Sequence, residues 1–526
     1  MPSGSFQELY TSFEKKDVIA VEGVQAHTQD VYTEESLDPI YHAKVKVLND
    51  AIQEIGMGKY QWYLFCVAGF GWFSDNLWPM TTGLIYTSVT SEFGVQGEWM
   101  ILAQALGLLV GAAFWGIGCD MWGRRWSFNL TILITSIFAL AAGGAPNYTV
   151  LCTCVSLWSI GVGGNLPVDS AVFLEFIPAS HQYLLTVLSI WWAVGQLVGS
   201  LVAWPLISNF SCPAAPAPCP TSSNKGWRYY LFAMGGVMMV MWILRFFVFN
   251  LQESPKYLMG RGRDEEAVAS VHRVAAINGK TSNLSVEHLK EAAMLAGDSN
   301  GNDGEMDTSA KAAAMRKLSK FDANHVKPLF ATRKLAYSTS ILIILWALIG
   351  LAFPLYSVFV NYYLQTRGAA LGNESLSIVY RNQVILSVIG IPGGLMAGYL
   401  IELPMLGRRG TLAISTVLTG VFILASTTAR TPNSYLGWNC GYSFTSTVMY
   451  GVLYAISPEL FPTKDRGTGN SLVSAANRIF GVMSPIIALY ANIATSVPIW
   501  VSGGIFVSAG LIALLLPFEP RGRASL

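Results

Sequence analysis

GIGCDMWGRR, residues 116–125, is a short charged link between two long apolar runs. A looser copy, GYLIELPMLGRR, occupies residues 398–409 in the second half of the chain. The Arg-Arg pairs of the two copies are 284 positions apart, and the same offset carries EFIP at 175–178 onto ELFP at 459–462. Two landmarks at one offset indicate that the chain consists of two related halves, an organisation found in many membrane transporters.

The composition is that of a membrane protein. Of the 526 residues, 52% are hydrophobic and only 12% are charged, whereas a soluble domain carries about 25% charged residues. Apolar runs of about 20 residues match the length of a membrane-spanning helix. The net charge of +1 indicates nothing about partners, whereas the lack of a basic cluster argues against a nucleic-acid partner. Because the first 58 residues are polar, we expect no cleavable signal peptide.

The apolar pattern predicts an all-α membrane protein with twelve transmembrane helices, arranged as two pseudo-symmetric six-helix bundles. A short helix near residues 40–55 is expected before the first span. The predicted spans are 61–86, 99–118, 127–145, 149–171, 183–208, 229–250, 336–364, 376–400, 410–428, 435–457, 468–493 and 498–517.

These spans divide the chain into an N-terminal tail, a first bundle, a central loop, a second bundle and a C-terminal tail. Their bounds are 1–60, 61–250, 251–335, 336–517 and 518–526. Lysine and arginine concentrate in alternate loops, so the positive-inside rule places both tails and the central loop in the cytoplasm. The central loop contains a glycine- and aspartate-rich segment at 297–304 for which we predict disorder. We expect a multi-pass plasma-membrane protein, embedded in the lipid bilayer, that functions as a monomer.

With this topology, residues 116–125 resemble the signature of the major facilitator superfamily, Gly-x-x-x-Asp-x-x-Gly-Arg-Arg/Lys, which joins the second and third helices. ESP at 253–255 and PELFPTKDRG at 458–467 resemble the sugar-porter and organic-ion-transporter branches. GVGGNLPVD at 161–169 is similar to the fourth helix of the synaptic-vesicle-glycoprotein-2-related group, which is close to metabolite:proton symporters. The resemblance covers about residues 60–520 and implies a transporter with a central cavity between two bundles.

The fourth predicted helix departs from the superfamily pattern. Many members carry an arginine before the Gly-x-Gly-Gly motif, but VSLWSI at 155–160 has no basic residue. A proton relay that depends on this arginine therefore cannot be carried over to this chain.

Ionisable side chains inside a span are costly, so each is a functional candidate. Asp75 lies about 14 residues, or about 21 Å, into the first predicted span and is therefore near mid-membrane. A carboxyl at that depth can serve as a proton-coupling group, and the resembling groups commonly have an aspartate on this helix. The alternative is a structural carboxyl that is hydrogen-bonded to neighbouring helices.

Two further intramembrane charges are candidates. Asp169 follows Pro167 and shares a helix face with Asn165, so it either takes part in proton coupling and lines a cavity or has a structural role. Arg478 carries a fixed charge about ten residues into the eleventh span, where it needs a carboxylate, water or an anionic substrate. The resembling organic-ion transporters associate a basic residue here with anionic substrates, and a permanent partner such as Asp75 is the alternative.

Other polar and aromatic side chains are candidates for lining a substrate cavity. Arg381, near the outer end of the eighth span, is either such a residue or an interfacial arginine. None of the six histidines lies in a predicted span, which argues against a histidine proton relay. The remaining cavity candidates are Gln196, Tyr356, Asn361 and Asn477, together with Trp191, Trp192 and Tyr362.

Charged residues at the predicted cytoplasmic ends of the helices form a candidate gate. Opposite charges there can pair when this side is closed and separate when it opens, as alternating access requires. Topology and anchoring alone are the alternative role. The ten residues are Asp120, Arg124, Arg125, Glu175, Glu253, Glu402, Arg408, Arg409, Glu459 and Arg466.

The seven cysteines show no metal-binding pattern, and we expect neither a metal nor a cofactor. Cys212 and Cys219 flank a polar Pro/Ala segment in a predicted outer loop, where they form a disulfide or remain free thiols. Sequons at Asn209 and Asn373 in outer loops are candidate glycosylation sites.

These features predict a secondary active transporter that moves a small organic solute, first of all an organic anion or carboxylate, by alternating access with proton symport. Uniport, and symport or uniport of a sugar or an organic cation, remain open. A transporter-like membrane sensor is the rival of a different class. No Walker, Gly-x-Ser-x-Gly or His-Glu-x-x-His motif is present, so we predict that the protein is not an enzyme.

Overall fold

The structure is a computed structural model. It describes residues 39–178, 181, 184–212, 219–249, 251–298, 326–357, 376–403, 406–461, 466–490 and 495–517. Within these ranges a few side chains are not described, among them those of Asp120, Glu402, Glu459 and Arg466. The described part of the chain is helical, with short turns between the helices.

A short helix, α1 (Pro39–Ile55), precedes the N-terminal half and corresponds to the helix expected near residues 40–55. The helices of this half are α2 (Lys59–Phe93), α3 (Glu98–Trp122), α4 (Arg124–Gly143), α5 (Tyr148–Phe176), the short α6 (Leu184–Val187), α7 (Ile190–Phe210) and α8 (Gly226–Ile243). A π-helical turn, Leu244–Val248, continues α8. The fifth span therefore begins later than predicted, because α6 and a turn occupy residues 184–189.

Three shorter helices follow: α9 (Pro255–Gly260), α10 (Asp264–Ile277) and α11 (Val286–Asp298). A 3₁₀ turn, Lys327–Phe330, leads into the C-terminal half. Its helices are α12 (Arg333–Ser357), α13 (Leu376–Glu402), α14 (Gly407–Ser426), α15 (Pro432–Leu460), α16 (Arg466–Tyr490) and α17 (Val497–Ala513).

Nine helices in the described ranges are long and apolar enough to cross a membrane. The apolar α17 is shorter, with 17 residues. Helices α2 and α15 are long enough, at 35 and 29 residues, but contain more polar side chains. With these three, the described chain has six spans in each half, which confirms the predicted fold of two six-helix bundles.

The repeat seen in the sequence extends to the helix boundaries. Helices α5 and α15 each contain 29 residues, and both of their ends coincide after a shift of 284 positions. Their N-caps, Asn147 and Thr431, are related by the same shift, and each side chain accepts a hydrogen bond from the backbone N–H three residues later. Because such a cap satisfies an otherwise unpaired helical N–H, both halves keep the same local signal for starting this helix.

Each half has a hydrophobic core, and among the described residues the most extensive helix contacts between the halves are those of α3 with α16 and of α7 with α13. Hydrogen bonds hold the middle and outer parts of the α7–α13 contact, from Trp204 to Ser377 at 2.9 Å and between Ser200 and Ser387 at 3.1 Å. Tyr380 on α13 also donates to a backbone carbonyl of α2 at 2.7 Å. The structure therefore has its halves in contact on the predicted outer side.

Helix α1 and helices α9–α11 form a small platform at the predicted cytoplasmic end of the N-terminal half. Lys44 on α1 pairs with Asp264 on α10 at 2.6 Å. Asn278, just after α10, bonds to the first turn of α2 through Tyr60 and Gln61. The apolar core of the platform includes Leu48, Ile55, Met259, Val271 and Leu289. The segment predicted as a loop thus contains packed helices, whereas residues 299–304 of its glycine-rich stretch lie outside the described residues.

Candidate functional site

The loop between α3 and α4 is held by an acidic side chain from beyond α8. Glu253 accepts hydrogen bonds from the backbone N–H groups of Arg124 at 2.8 Å, Arg125 at 3.3 Å and Ser254 at 3.0 Å. A carboxylate at this position satisfies orphan donors and opposes the positive end of the α4 dipole. Burial raises the pKa of the Glu253 carboxyl above its usual value, and these three amides oppose that rise.

A second set of contacts holds the same loop. The Arg124 guanidinium pairs with Glu175, at the end of α5, at 3.0 Å. The backbone carbonyl of Met121, near the end of α3, accepts hydrogen bonds from Tyr257 at 3.3 Å and Arg261 at 2.6 Å. The ends of three spans and the platform are therefore joined around the sequence signature.

Equivalent glycines make the tight turns before α4 and α14. Gly123 and Gly407 both have positive φ, 106° and 59°, a region that residues with a Cβ rarely adopt. They are 284 positions apart, so the repeat preserves this backbone requirement as well as the charges.

Gly123→Ala is expected to lower the free energy of unfolding by about 1–3 kcal/mol, because alanine is strained at this φ. Its Cβ would also lie 2.7 Å from a carboxylate oxygen of Glu253. Thermal unfolding of the purified protein in detergent measures the loss. Gly116→Ala is the control, since no described atom outside the local helix backbone lies within 4 Å of its added Cβ; equal melting temperatures for the two variants would contradict the argument.

The other candidate gate residues are only partly described. Arg125 is exposed, and Arg408 and Arg409 are half-buried at the start of α14. The side chains of four other candidates, Asp120, Glu402, Glu459 and Arg466, lie outside the described part. The contacts described above for Arg124 are with residues of the N-terminal half.

Asp75 and Arg478 meet at the middle of the interface between the two halves. Asp75 is 16 residues into α2 and Arg478 is 12 residues into α16. Arg478 Nη2 is 3.4 Å from Asp75 Oδ1. The arginine side chain is 22% exposed and the aspartate 15%, so space remains between the bundles around this inter-half ion pair.

Asp169 and Arg245 form a buried ion pair inside the N-terminal half. Arg245 Nη2 is 2.5 Å from Asp169 Oδ1, and both side chains are completely buried. Arg245 lies in the π-helical turn after α8, 3.0 Å above the ring centre of Phe128. Asn165 is also fully buried, and among the described residues neither of its amide atoms has a hydrogen-bond partner. Gly71 on α2 packs so closely against Asp169 that a Cβ would not fit.

The two ion pairs are neighbours. Gly71 and Asp75 are four residues apart and share one face of α2, a separation of about 6 Å along the helix. Because Gly71 contacts Asp169, the carboxylates of the two pairs lie roughly one helical turn apart. The charges therefore form a row that runs from inside the N-terminal half into the C-terminal half.

Sequence reasoning missed Arg245. The residue lies inside the predicted span 229–250, so the rule that selects Asp75 as a costly intramembrane charge applies to it too. Five residues from the end of the span, it resembles a flanking cytoplasmic arginine. In the structure it points inward, to Asp169.

The remaining predicted cavity residues are dispersed. Gln196 is half-buried on α7, one turn beyond Trp192. Asn477 donates to a backbone carbonyl of α12 at 3.1 Å, and Tyr356 is buried with its hydroxyl bonded to Asn439 at 2.6 Å. These two therefore make helix-to-helix contacts in the C-terminal half. Arg381 is exposed near the outer end of α13, and Asn361 and Tyr362 lie outside the described residues.

Four aromatic side chains form a row beside the inter-half ion pair. Trp72 and Trp192 have ring centroids 4.9 Å apart, Trp192 and Tyr454 5.1 Å, and Tyr454 and Trp346 4.8 Å. The first two belong to the N-terminal half and the last two to the C-terminal half. This aromatic row crosses the interface, and of its members only Trp192 was a candidate from the sequence.

A polar cluster closes the predicted outer end of the N-terminal half. Glu92, at the end of α2, accepts hydrogen bonds from Trp227 and Arg228, both at 2.8 Å. A disulfide joins Cys212 and Cys219 nearby, with their Cα atoms 6.3 Å apart. Asn209 is exposed in the last turn of α7, and Asn373 lies outside the described residues; their glycosylation stays a prediction.

Nothing in the described geometry suggests a metal centre, because no three His, Cys, Asp or Glu side chains of the described residues are grouped to hold an ion. The site is instead a row of charges and aromatic rings at the middle of twelve spans. The profile of the sugar (and other) transporter family matches residues 53–519 of this chain. The chain belongs to the sugar (and other) transporter family. This membership confirms the resemblance to the major facilitator superfamily.

Several named transporters are similar to the chain over most of its length. The MFS siderochrome iron transporter 1 of Ceriporiopsis subvermispora is 56% identical over 497 residues, which are 94% of each chain. The niacin transporter NiaP of Acinetobacter baylyi is 26% identical over 84% of this chain and 90% of its own. The xylose transporter XylE from E. coli, in a partially occluded inward-open conformation, has a TM-score of 0.62 at 15% identity, with 88% of this chain and 100% of XylE covered. The protein is therefore a multi-pass membrane transporter of the major facilitator superfamily.

Proposed function

We propose that the protein is a proton symporter for a small organic anion, which it moves by alternating access. The observation that carries this proposal is the inter-half ion pair, Asp75 with Arg478 at 3.4 Å, at the middle of the interface. A titratable acid and a permanent cation face each other there, each on a different half. The pair can therefore respond both to ligands and to the relative position of the halves.

The charges of this pair link proton binding to anion binding. When Asp75 is ionised, it neutralises Arg478. When Asp75 takes up a proton, the guanidinium keeps its charge and needs a new anion, because an unpaired charge at this depth is costly. Proton and anion thus favour each other's binding, and this coupling is reciprocal. One proton and one monoanion then cross together without net charge.

Asp169 is a second acid in the same row, about one turn from Asp75, and we propose that it supports proton coupling. Its charge is balanced by Arg245 rather than by a residue of the other half. Asn165 beside it offers two unpaired amide atoms among the described residues. Buried groups of this kind are commonly satisfied by ordered water, which can carry a proton between the two carboxylates.

The cytoplasmic charges are proposed as the gate. In this structure Arg124 pairs with Glu175 of the same half. Closing the cytoplasmic side would bring these charges close to those around Arg408 and Arg409. Such alternative pairings give the two discrete states that alternating access needs.

The names of relatives mention several kinds of substrate. A niacin transporter is among them, and niacin is a carboxylic acid. The relative at 56% identity is named as a siderochrome iron transporter, so a larger organic chelator belongs in any substrate screen. XylE, which shares the fold, is described as a proton:xylose symporter. A sugar is the second candidate substrate, because the family description itself names sugars.

Uptake into proteoliposomes tests the proposal. The purified protein is reconstituted, an inward proton gradient is imposed, and accumulation of radiolabelled nicotinate is followed with and without a protonophore. We expect accumulation that the protonophore abolishes. Empty liposomes are the control, because weak acids cross bilayers unaided. If nicotinate accumulates no more than in empty liposomes while xylose is taken up, the substrate is a sugar and not an anion.

A further inference from the structure

The aromatic row lies level with the inter-half ion pair. Trp72 is three residues before Asp75 on α2, and the side chain of Asn76 donates to the backbone carbonyl of Trp192 at 3.2 Å. Trp192 and Tyr454 contact each other across the two halves. In the proposed alternating access the halves move relative to each other, so this ring contact can be exchanged for another.

Ring contacts between the halves can be exchanged for contacts with a ligand. Aromatic pairs favour offset-stacked or edge-on geometries with centroids about 4.5–7 Å apart, the range in which the rings of this row lie. An aromatic ligand ring that enters between Trp192 and Tyr454 would replace one such contact with two. A saturated ring of the same size offers no π face and makes no equivalent contact.

Hydrogen-bond donors that lack an acceptor among the described residues lie beside these rings. The indole N–H groups of Trp72 and Trp192 are buried, and neither has an acceptor among the described residues. Arg478 adds a guanidinium with five N–H donors, and its described contact is one oxygen of Asp75. A buried donor without an acceptor costs free energy, so this site favours a ligand that brings acceptor atoms.

We propose that the substrate is a planar aromatic or conjugated monocarboxylate. Its ring packs between Trp192 and Tyr454, and its carboxylate accepts hydrogen bonds from Arg478. This inference rests on the proposed function, because it specifies the anion that occupies Arg478 when Asp75 is protonated. The rings of Trp192 and Tyr454 select a substrate that has a π face, and the guanidinium of Arg478 selects one that has a negative charge.

Pairs of ligands that differ in one property test the two requirements separately. Affinities of the full-length protein in detergent are measured by titration calorimetry at one pH. The probes are benzoate, cyclohexanecarboxylate, benzamide, naphthalene-2-carboxylate and decahydronaphthalene-2-carboxylate. We expect each aromatic acid to bind at least about tenfold more tightly than its saturated counterpart, and benzoate about tenfold more tightly than benzamide.

Variants of the two ring residues localise the effect. Trp192→Leu and Tyr454→Leu should abolish the preference for aromatic acids while changing the affinity for the saturated acids by no more than about twofold. Trp192→Phe keeps a ring and should keep most of the preference. Trp62→Leu is the matched control, because this tryptophan of α2 is 51% exposed. Melting temperatures identify a leucine variant that does not fold, in which case Trp192→Met and Tyr454→Met, which also remove the ring, replace it.

The outcomes separate this inference from the function on which it rests. Equal affinities for aromatic and saturated acids would overturn the inference and leave anion symport standing. Equal affinities for benzoate and benzamide would remove the anion from the proposed function as well. If none of the five probes binds, the inference is overturned, and the liposome experiment alone decides proton-driven uptake.

Discussion

Asp75→Asn is expected to abolish proton-driven uptake while leaving substrate exchange across the membrane intact. Asparagine has the same shape as aspartate but cannot exchange a proton, so uptake no longer gains from a proton gradient. Exchange of labelled for unlabelled substrate requires no net proton movement and should continue. We expect accumulation driven by the gradient to fall by about tenfold to a hundredfold, the usual range for the loss of coupling between two sites.

The same variant should change the pH dependence of binding. In the wild type, the affinity for the anion should rise as the pH falls, because protonation of Asp75 releases Arg478. In Asp75→Asn no carboxylate competes for Arg478, so the affinity should be high and independent of pH. Titration calorimetry at several pH values measures this difference, with benzoate as the probe.

Asp50→Asn is the matched control for both measurements, because Asp50 is an exposed acid on α1 and its replacement should alter neither. Gradient-driven accumulation by Asp75→Asn at the wild-type level, with equal protein in the liposomes, would remove Asp75 from the coupling mechanism. Affinity that still rises at low pH in this variant would assign the titration to another group.

Asp169→Asn and Arg245→Met, made singly, are expected to destabilise the protein by about 3–5 kcal/mol, because each leaves one buried charge without its partner. Both side chains are completely buried, so water does not compensate for the loss. The double variant removes both charges, and most of the stability should return. Thermal unfolding in detergent measures all three variants.

An exposed ion pair provides the control for this cycle. Arg263 and Glu266 are 2.5 Å apart on the platform, with side chains 53% and 54% exposed. Replacing Arg263 or Glu266 alone should lower the free energy of unfolding by no more than about 1 kcal/mol. If the single replacements in the buried pair and in the exposed pair lower the free energy of unfolding equally, the charges of Asp169 and Arg245 are not shielded from water as the structure shows.

Transport by the double variant distinguishes a structural role from a functional one. If the buried ion pair only supports packing, the restored double variant should transport with normal proton coupling. If Asp169 takes part in coupling, as we propose, the double variant should be stable and exchange substrate but accumulate little under a proton gradient. Stability and proton-coupled transport are measured separately, so a double variant that regains stability still shows whether Asp169 takes part in coupling.

Local signals in the sequence account for most of the fold. Run lengths of apolar residues predict the spans, and the caps Asn147 and Thr431 explain why α5 and α15 start where they do. Two span boundaries were each about seven residues off: the end of the first span, at 86 rather than Phe93, and the start of the fifth, at 183 rather than Ile190, where an apolar run continues through the short α6 and a turn. The platform was also missed, because the short apolar faces of α10 and α11 form a core only together with α1, which is distant in the sequence.

Prediction of the site depended on the kind of signal each residue carries. Asp75 and Arg478 are recognisable because a charge inside an apolar run is costly wherever it lies. Arg245 carries the same signal, but near the end of a span it is not distinguishable from an arginine that flanks the membrane. Trp72, Trp346 and Tyr454 carry none, since aromatic residues are common throughout such a chain, and only their contacts set them apart.

The sequence by itself determined that this is a two-fold repeated transporter of twelve spans, because hydrophobic length, helix caps and glycine turns act over a few residues. The tertiary structure decided which charges meet. Asp75 and Arg478 are 403 positions apart and Asp169 and Arg245 are 76 apart. Such pairs depend on how whole helices pack. Each helix sets the face and the depth of its own side chains, but the partner of each charge lies on another helix.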